Sequence, residues 1–351
     1  HQVTADGGGI EQGVWYLQFI SDLYSLIWAF LEARGERVPG AVQRACAKSR
    51  TFLAAMTDAA GGLGSIGDSV GGYALSPALD FSLIDPSHAP GLLTFEDSGY
   101  SVLKSVGVSP ARLILDHGPL GMSPCYAHGH ADALSILFQT GGQEVLADTG
   151  TFAYSGHPDW RRYFRGTSAH NTVVVDGLDQ AVQESGFQWS SPFNSCLVFR
   201  EEHANGETVL VAKHDGYLQR TGVIHWRGLL YQPPGLWVIV DRLTGSGIHD
   251  LELNWHLGLT PIPNGIGYLL EGAESRIRLT IEGGEVVTRR GQTAPILGWR
   301  SRSYGMKEPM DTLHTTYRGP LQHEFVTCLV IGPDDALARH AALSSLRKSM
   351  Y

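Results

Sequence analysis

From Leu92 onward the chain is a succession of short apolar runs, rich in β-branched residues and set apart by turn residues. This alternation constrains the fold more than any other feature. The runs fall at 100–106, 111–115, 133–139, 144–147, 172–175, 196–200, 209–213, 223–231, 236–240, 251–256, 277–281 and 325–331. Gly141-Gly142, Asp176-Gly177, Pro233-Pro234-Gly235 and Gly283-Gly284 punctuate them. A parallel sheet needs a crossover of a dozen or more residues, usually helical, between strands, whereas antiparallel neighbours need only a turn. The pattern therefore predicts an antiparallel β-sandwich.

The first ninety residues read differently. Residues 11–34 have the apolar content of a helix that Gly35 stops, and 40–58 form a second one before Gly61-Gly62. The first is apolar on most sides and is expected to pack between other helices. Its run 14–31 approaches membrane-spanning length, but it carries Gln18, Ser21, Asp22 and Ser25. An Asp at the centre of a span costs roughly 3 kcal/mol, so the expectation is a buried helix and no membrane span. Two helices are too few for a helical domain of their own. They either pack on the sandwich or continue a helical region preceding His1. The expected division is thus a helical segment over 1–90 and a sandwich over 91–351.

The bulk properties exclude some partners. The net charge is −9, and no Lys/Arg-rich block is present, which argues against nucleic acid. An acidic polysaccharide stays compatible, because a local basic cleft can sit on a mildly acidic protein. Cys46, Cys125, Cys196 and Cys328 include no CxxC pair, so neither a disulfide scaffold nor a cysteine metal site is expected.

The segment 126–177 is densest in chemistry. It holds His128, His130, Asp132, Asp148, His157 and His170. On a strand, His128, His130 and Asp132 would share one face. Asp148 ends the next apolar run, and His170 begins another. Three strand ends would then bring His130, Asp148 and His170 together. Two imidazoles and a carboxylate are an ordinary Zn²⁺ ligand set, with water or protein in the fourth position. Any one of these residues alone reads as a surface histidine or a turn aspartate; the set carries the metal reading. Arg161, Arg162 and Arg165 offer bidentate grips for carboxylates or sulfates, or ordinary surface charge. Trp160 and Trp189 offer sugar-stacking rings, or packing. Asn171 is expected to fix backbone rather than touch a ligand.

The string HGHAD at 128–132, the Asp148 of LADTGT and the His170-Asn171 of SAHNTVVVDG resemble the C-terminal signature of heparinase II/III-like polysaccharide lyases. That group includes heparin, heparan, alginate and oligoalginate lyases. The strings ADGGGIEQGVWY, GSIGDS, WVIVDRL and NWHLG are similar to the same family, so the resemblance covers nearly the whole chain. It implies a mainly β fold in which the last helices of an incomplete (α/α) toroid precede the sandwich. It implies a mainly structural zinc on His130, Asp148 and His170, with Tyr16 and His128 catalytic and Tyr154 or Tyr163 as a second tyrosine. The implied reaction is β-elimination on a uronic-acid polymer, in a periplasmic or secreted bacterial enzyme. The family also carries an Asn-His pair on earlier toroid helices, yet only fifteen residues precede Tyr16. A missing toroid segment or chain is therefore an expected partner, and an oligomer is open. A non-catalytic carbohydrate-binding or biosynthesis-associated protein is the second reading, and a metal-dependent hydrolase ranks last.

Overall fold

The computed structural model describes residues 2–58, 61–71, 90–105, 110–333 and 335–350. Helices α1 (Val14–Ala33) and α2 (Gly40–Met56) come first. Strands β1 (Gly91–Phe95), β2 (Tyr100–Lys104), β3 (Ala111–Asp116), β4 (Ile136–Thr140) and β5 (Gln143–Leu146) follow. Helix α3 (Pro158–Arg165) precedes β6 (Val173–Val175), β7 (Val182–Ser185), β8 (Gln188–Ser190), β9 (Ser195–Glu202) and β10 (Thr208–His214). After the single turn α4 (Leu218–Thr221) come β11 (Ile224–Gln232), β12 (Leu236–Thr244), β13 (Ile248–Leu257), β14 (Pro261–Asn264), β15 (Gly267–Glu271), β16 (Arg276–Glu282) and β17 (Glu285–Arg290). The chain ends with β18 (Gln292–Thr293), β19 (Ile296–Leu297), β20 (Trp299–Ser303), β21 (Met306–Pro309), β22 (Asp311–Pro320), β23 (Glu324–Ile331) and helix α5 (Ala336–Ser349).

Every predicted run holds a strand. The strands form two large sheets. One runs β1-β2-β3-β4-β5-β13-β22-β17, with β6 also paired to β13; the other runs β14-β15-β16-β23-β12-β11-β10-β9. All pairings in both are antiparallel. The facing surfaces close on one apolar core that includes Leu113, Leu115, Phe138, Trp237, Ile239, Trp255, Phe325 and Leu329. Each such side chain contributes about 1.5–3 kcal/mol on burial.

Helices cover the outer faces. Val14, Leu17, Phe52 and Leu53 pack on Phe95, Tyr100, Val102 and Ile114, whose side chains point away from the sandwich core. On the other sheet, Ala342, Leu346 and Met350 cover Val209, Val211, Val238 and Val240. Strands β3 and β12 are therefore buried on both sides, which is why they read as continuous apolar runs.

Helix α1 departs from expectation. Only Val14, Leu17, Ser21 and Ser25 are buried, while Leu26, Ile27 and Phe30 are exposed. One face rests on α2 and the sheet, and no further helix among the described residues covers the rest. By length and composition it is long and apolar enough to cross a membrane. Its first turn is built into the site described next.

Candidate functional site

The first turn of α1, the loop 61–71, the connection between β3 and β4, the segment after β5 and helix α3 meet at one place. The HGHAD segment lies in that β3–β4 connection and is a loop rather than a strand. His128 and His130 still converge, because both rings reach one carboxylate. His128 Nδ1 lies 3.2 Å from Asp68 Oδ2, and His130 Nε2 lies 3.1 Å from Asp68 Oδ1. Arg161 donates from Nη1 to Oδ1 and from Nη2 to Oδ2, the latter at 2.7 Å. Asp68 is fully buried. Burial alone would raise its pKa, but the hydrogen bonds from Arg161, His128 and His130 outweigh it and hold the carboxyl far below the usual carboxylate range.

Two glycines allow the loops to come this close. Gly67 has φ +62°, and a Cβ on it would lie 2.1 Å from the Gln12 carbonyl oxygen. A Cβ on Gly129 would lie 1.5 Å from the Leu120 oxygen. The Asp68 N–H donates to the His128 carbonyl at 2.8 Å, so the two loops are joined by backbone as well.

Tyr16 closes the site from the helical side. Its ring stacks on His128 with centroids 3.8 Å apart, and its hydroxyl is 3.1 Å from that of Tyr154. Burial, with the charges of Asp68 and Glu11 behind it, raises the Tyr16 pKa; burial and Asp68 raise that of Tyr154 further. Tyr16, His128 and Tyr154 thus meet from three distant segments.

Other expected residues go elsewhere. Tyr163 is buried, with its hydroxyl 3.4 Å from the Trp299 carbonyl, so of the two tyrosines left open Tyr154 is the one at the site. Arg161 and Arg165 are both buried, and their terminal nitrogens are occupied by hydrogen bonds within the protein rather than presented to a cleft. Arg165 donates to the carbonyls of Ser185, Gly186 and Ala127 and lies over the Trp189 ring. Arg162 is exposed. Trp160 is part of an aromatic cluster with Phe152, Phe164 and Trp299, under the Lys307 ammonium. Trp189 is buried, its Nε1 donating to Gly129.

Next to this site, His130, Asp132 and His170 each offer a ligand atom, all within 4.8 Å of one another, and all three residues are buried. His130 Nδ1 and His170 Nε2 have no hydrogen-bond partner. Asp68 and Asp148 explain why these nitrogens are available. Each carboxylate accepts the N–H of the opposite ring nitrogen, Asp148 from His170 Nδ1 at 2.7 Å. In the neutral rings that sets each tautomer and leaves a lone pair facing the cluster. Against the lowering effect of burial, Asp148 and Asp132 raise the His170 pKa, so that a cation there would compete with a proton. Burial lowers the His130 pKa to about 4, which keeps its lone pair free, and pushes the Asp132 carboxyl up to about 7. This differs from the expected set of His130, Asp148 and His170. The loop bends at Leu134, which has φ +63°, and Asp132 joins the two rings, while Asp148 stands behind His170. Two imidazoles and a carboxylate fit a divalent cation such as Zn²⁺.

Asn171 holds this corner to the sheet. Its amide donates to the carbonyls of Ile136 and Ala147, and its Oδ1 accepts from the His256 N–H at 2.7 Å. Arg227, paired with Asp241 in the core, donates to the carbonyls of Leu134 and Asn171.

Asp68 and the ligand geometry of Asp132 escaped sequence reasoning. The only signal for Asp68 was its place in the string GSIGDS.

Residues 88–329 match the family model described as heparinase II/III-like, C-terminal. A search of curated proteins returns no match. Among solved structures, a heparinase III gene product with methylated lysines aligns at TM-score 0.77 and 19% identity, over 95% of this chain and 53% of that one. The heparan sulfate lyase HepC from Pedobacter heparinus aligns at TM-score 0.75 and 15% identity, over 95% of this chain and 54% of that one. A further heparinase III structure gives 0.76 and 15%, over 95% and 56%. The chain spans about half the length of these structures, and at such identities the likeness speaks for the fold: an antiparallel β-sandwich with helices at its N-terminal side. Because the family match extends over more than half of the chain, this protein belongs to the heparinase II/III-like family, through its C-terminal domain.

Proposed function

We propose that this chain supplies the sandwich side of a polysaccharide lyase site that cleaves a uronic-acid polymer by β-elimination. The observation that carries this reading is the meeting of Tyr16, His128 and Tyr154, with the Tyr16 ring 3.8 Å from His128 and its hydroxyl 3.1 Å from Tyr154. Elimination needs a base at C5 and an acid at the glycosidic oxygen on C4, a few ångströms apart. The base takes the C5 proton, and the C5–H electrons become the C4–C5 double bond. The C4–O bond breaks, and its electrons leave on the glycosidic oxygen, which collects a proton from the acid.

His128 suits the base. Its Nδ1–H is committed to Asp68, so Nε2 is the nitrogen with a lone pair. Tyr16 suits the acid, since its raised pKa keeps the proton on its hydroxyl until the leaving oxygen needs it. Tyr154 orients that hydroxyl. A zinc ion on His130, Asp132 and His170 would tie the β3–β4 loop to the segment before β6, a structural rather than chemical contribution. The group that neutralises the uronate carboxylate is assigned to a toroid segment or chain that completes the cleft. A periplasmic or secreted location fits such a substrate.

Incubation with a panel of uronate polymers, followed by the ultraviolet absorbance of the unsaturated product, tests the reading. The expected result is product from at least one acidic polysaccharide. A second reading is carbohydrate binding on the same fold without turnover. Retention on a uronate matrix with no unsaturated product would select it.

A further inference from the structure

We infer that Asp68 is a positioning residue which fixes opposite ring tautomers in His128 and His130, and so joins the reacting histidine to the metal corner through one carboxylate. The inference rests on the lyase reading for its effect on turnover, and on geometry alone for its effect on the rings.

Asp68 stands on a loop sixty positions before His128, and no other carboxylate contacts both rings among the described residues. Its oxygens are divided. Oδ2 faces His128 Nδ1, and Oδ1 faces His130 Nε2. A carboxylate only accepts, so each of these nitrogens must carry the hydrogen. The consequence is a pair of rings two residues apart with opposite protonation. His128 is Nδ1–H and presents Nε2. His130 is Nε2–H and presents Nδ1, the atom left without a partner. Arg161 makes the arrangement sustainable. Its fork covers the same two oxygens and neutralises a charge that is otherwise fully buried, and its Nε is fixed by the Gly186 carbonyl at 2.9 Å. The loop is held on its other side by the Ser69 N–H, which donates to Thr151 Oγ1 at 3.1 Å.

An ion pair with Arg161 alone would explain why a buried Asp is tolerated. It would not require both histidines to turn a nitrogen toward it. With the rings clamped from behind, neither the reacting nitrogen of His128 nor the free nitrogen of His130 can be exchanged for its partner by a ring flip without breaking a charge-assisted hydrogen bond.

The test begins on the unaltered full chain, labelled with ¹⁵N-histidine and observed by NMR at a pH where the rings are neutral. Signals are assigned from their loss in His128→Gln and His130→Gln. The expected result is Nδ1–H at His128, the tautomer less populated in free histidine, and Nε2–H at His130. Nε2–H at His128, or Nδ1–H at His130, overturns the inference. The second arm is Asp68→Asn, whose single amide oxygen cannot accept from both rings. Zn²⁺ affinity is expected to fall about 10–100-fold, the usual scale for losing such an outer carboxylate. Turnover on a cleaved polymer is expected to fall by about 10² in kcat with KM changed less than about threefold. A folded Asp68→Asn protein with both tautomers and Zn²⁺ affinity intact also overturns it. Should Asp68→Asn not fold, the tautomers of the unaltered chain decide. Should the unaltered chain release no unsaturated product, the lyase reading fails, while ring tautomers and Zn²⁺ affinity still decide the role of Asp68.

Discussion

Replacing Asn171 by Ala should be among the most damaging single changes in the sandwich, although Asn171 touches no ligand. The side chain is fully buried and spends both amide hydrogens and one lone pair of its oxygen near the β4–β5–β13 junction. Truncation leaves three backbone groups without this partner: the carbonyls of Ile136 and Ala147, which it reaches at 2.8 and 3.0 Å, and the His256 N–H at 2.7 Å. A buried group left unsatisfied costs about 1–3 kcal/mol. The carbonyls each have a second lone pair, so their cost falls at the low end, while the N–H has no alternative acceptor on the Ala side chain. The sum is roughly 3–5 kcal/mol. In a domain of this size each kcal/mol lowers Tm by about 2 °C, so a drop of roughly 6–10 °C is expected. Urea unfolding should show a lower midpoint at an unchanged m-value. Asn171→Asp should be no better, since it keeps an acceptor for His256 but sets a carboxylate against two carbonyls. A loss below about 1 kcal/mol in Asn171→Ala would refute the reasoning, because it would mean that these groups find other partners without Asn171.

Tyr16→Phe keeps the ring stacked on His128 and removes only the hydroxyl; turnover should fall by about 10², with stability within about 1 kcal/mol of the parent by urea midpoint. Near-normal turnover would make Tyr16 a packing residue. His128→Ala should retain Zn²⁺ and Asp132→Ala should lose it, as read by elemental analysis of chelator-free protein; zinc lost with His128, or kept without Asp132, would redraw the ligand set. Burial holds His117 to a pKa of about 4 against an ordinary 6.5. The unfolded chain therefore takes up this proton first, and the stability carried by neutral His117 is complete above pH 6.5 and is lost as the pH falls toward 4. The midpoint difference between the parent and His117→Gln should shrink in the parent's disfavour over that interval, and a constant difference would contradict the assignment.

The sandwich was legible because its strands are short, separated by Gly and Pro turns, and not interrupted by helical crossovers. The edge strands were harder. Strand β17 is EVVTRR with no buried position, and β14 is PIPN, so neither carries an apolar run to read. Helix α5 was also missed. Its buried face amounts to Ala342 and Leu346, and its start is marked only by the Asp335 cap. The convergence of His128 and His130 was legible because neighbours in space are neighbours in sequence, while Asp132 was read only as sharing their phase and Asp148 was expected in its place. Asp68 was not legible, because its meaning comes from partners 60, 62 and 93 positions away. The same distance misled the reading of Arg161: an arginine near a cleft looks like a ligand grip until the carboxylate that already occupies it is known.

On the proposed lyase function, the close approach at Gly67 and Gly129 limits how a protein of this kind can acquire a new substrate. A Cβ at either position would collide with a backbone oxygen, and no rotamer change relieves a collision with main chain. Drift in the two loops that carry Asp68 and His128 is therefore confined, and altered preference has to come from the rim. Phe187 and Tyr304 are exposed there, with rings 5.4 and 5.2 Å from that of Tyr154. A directed-evolution library aimed at a different polymer should randomise those two positions and leave both glycines untouched.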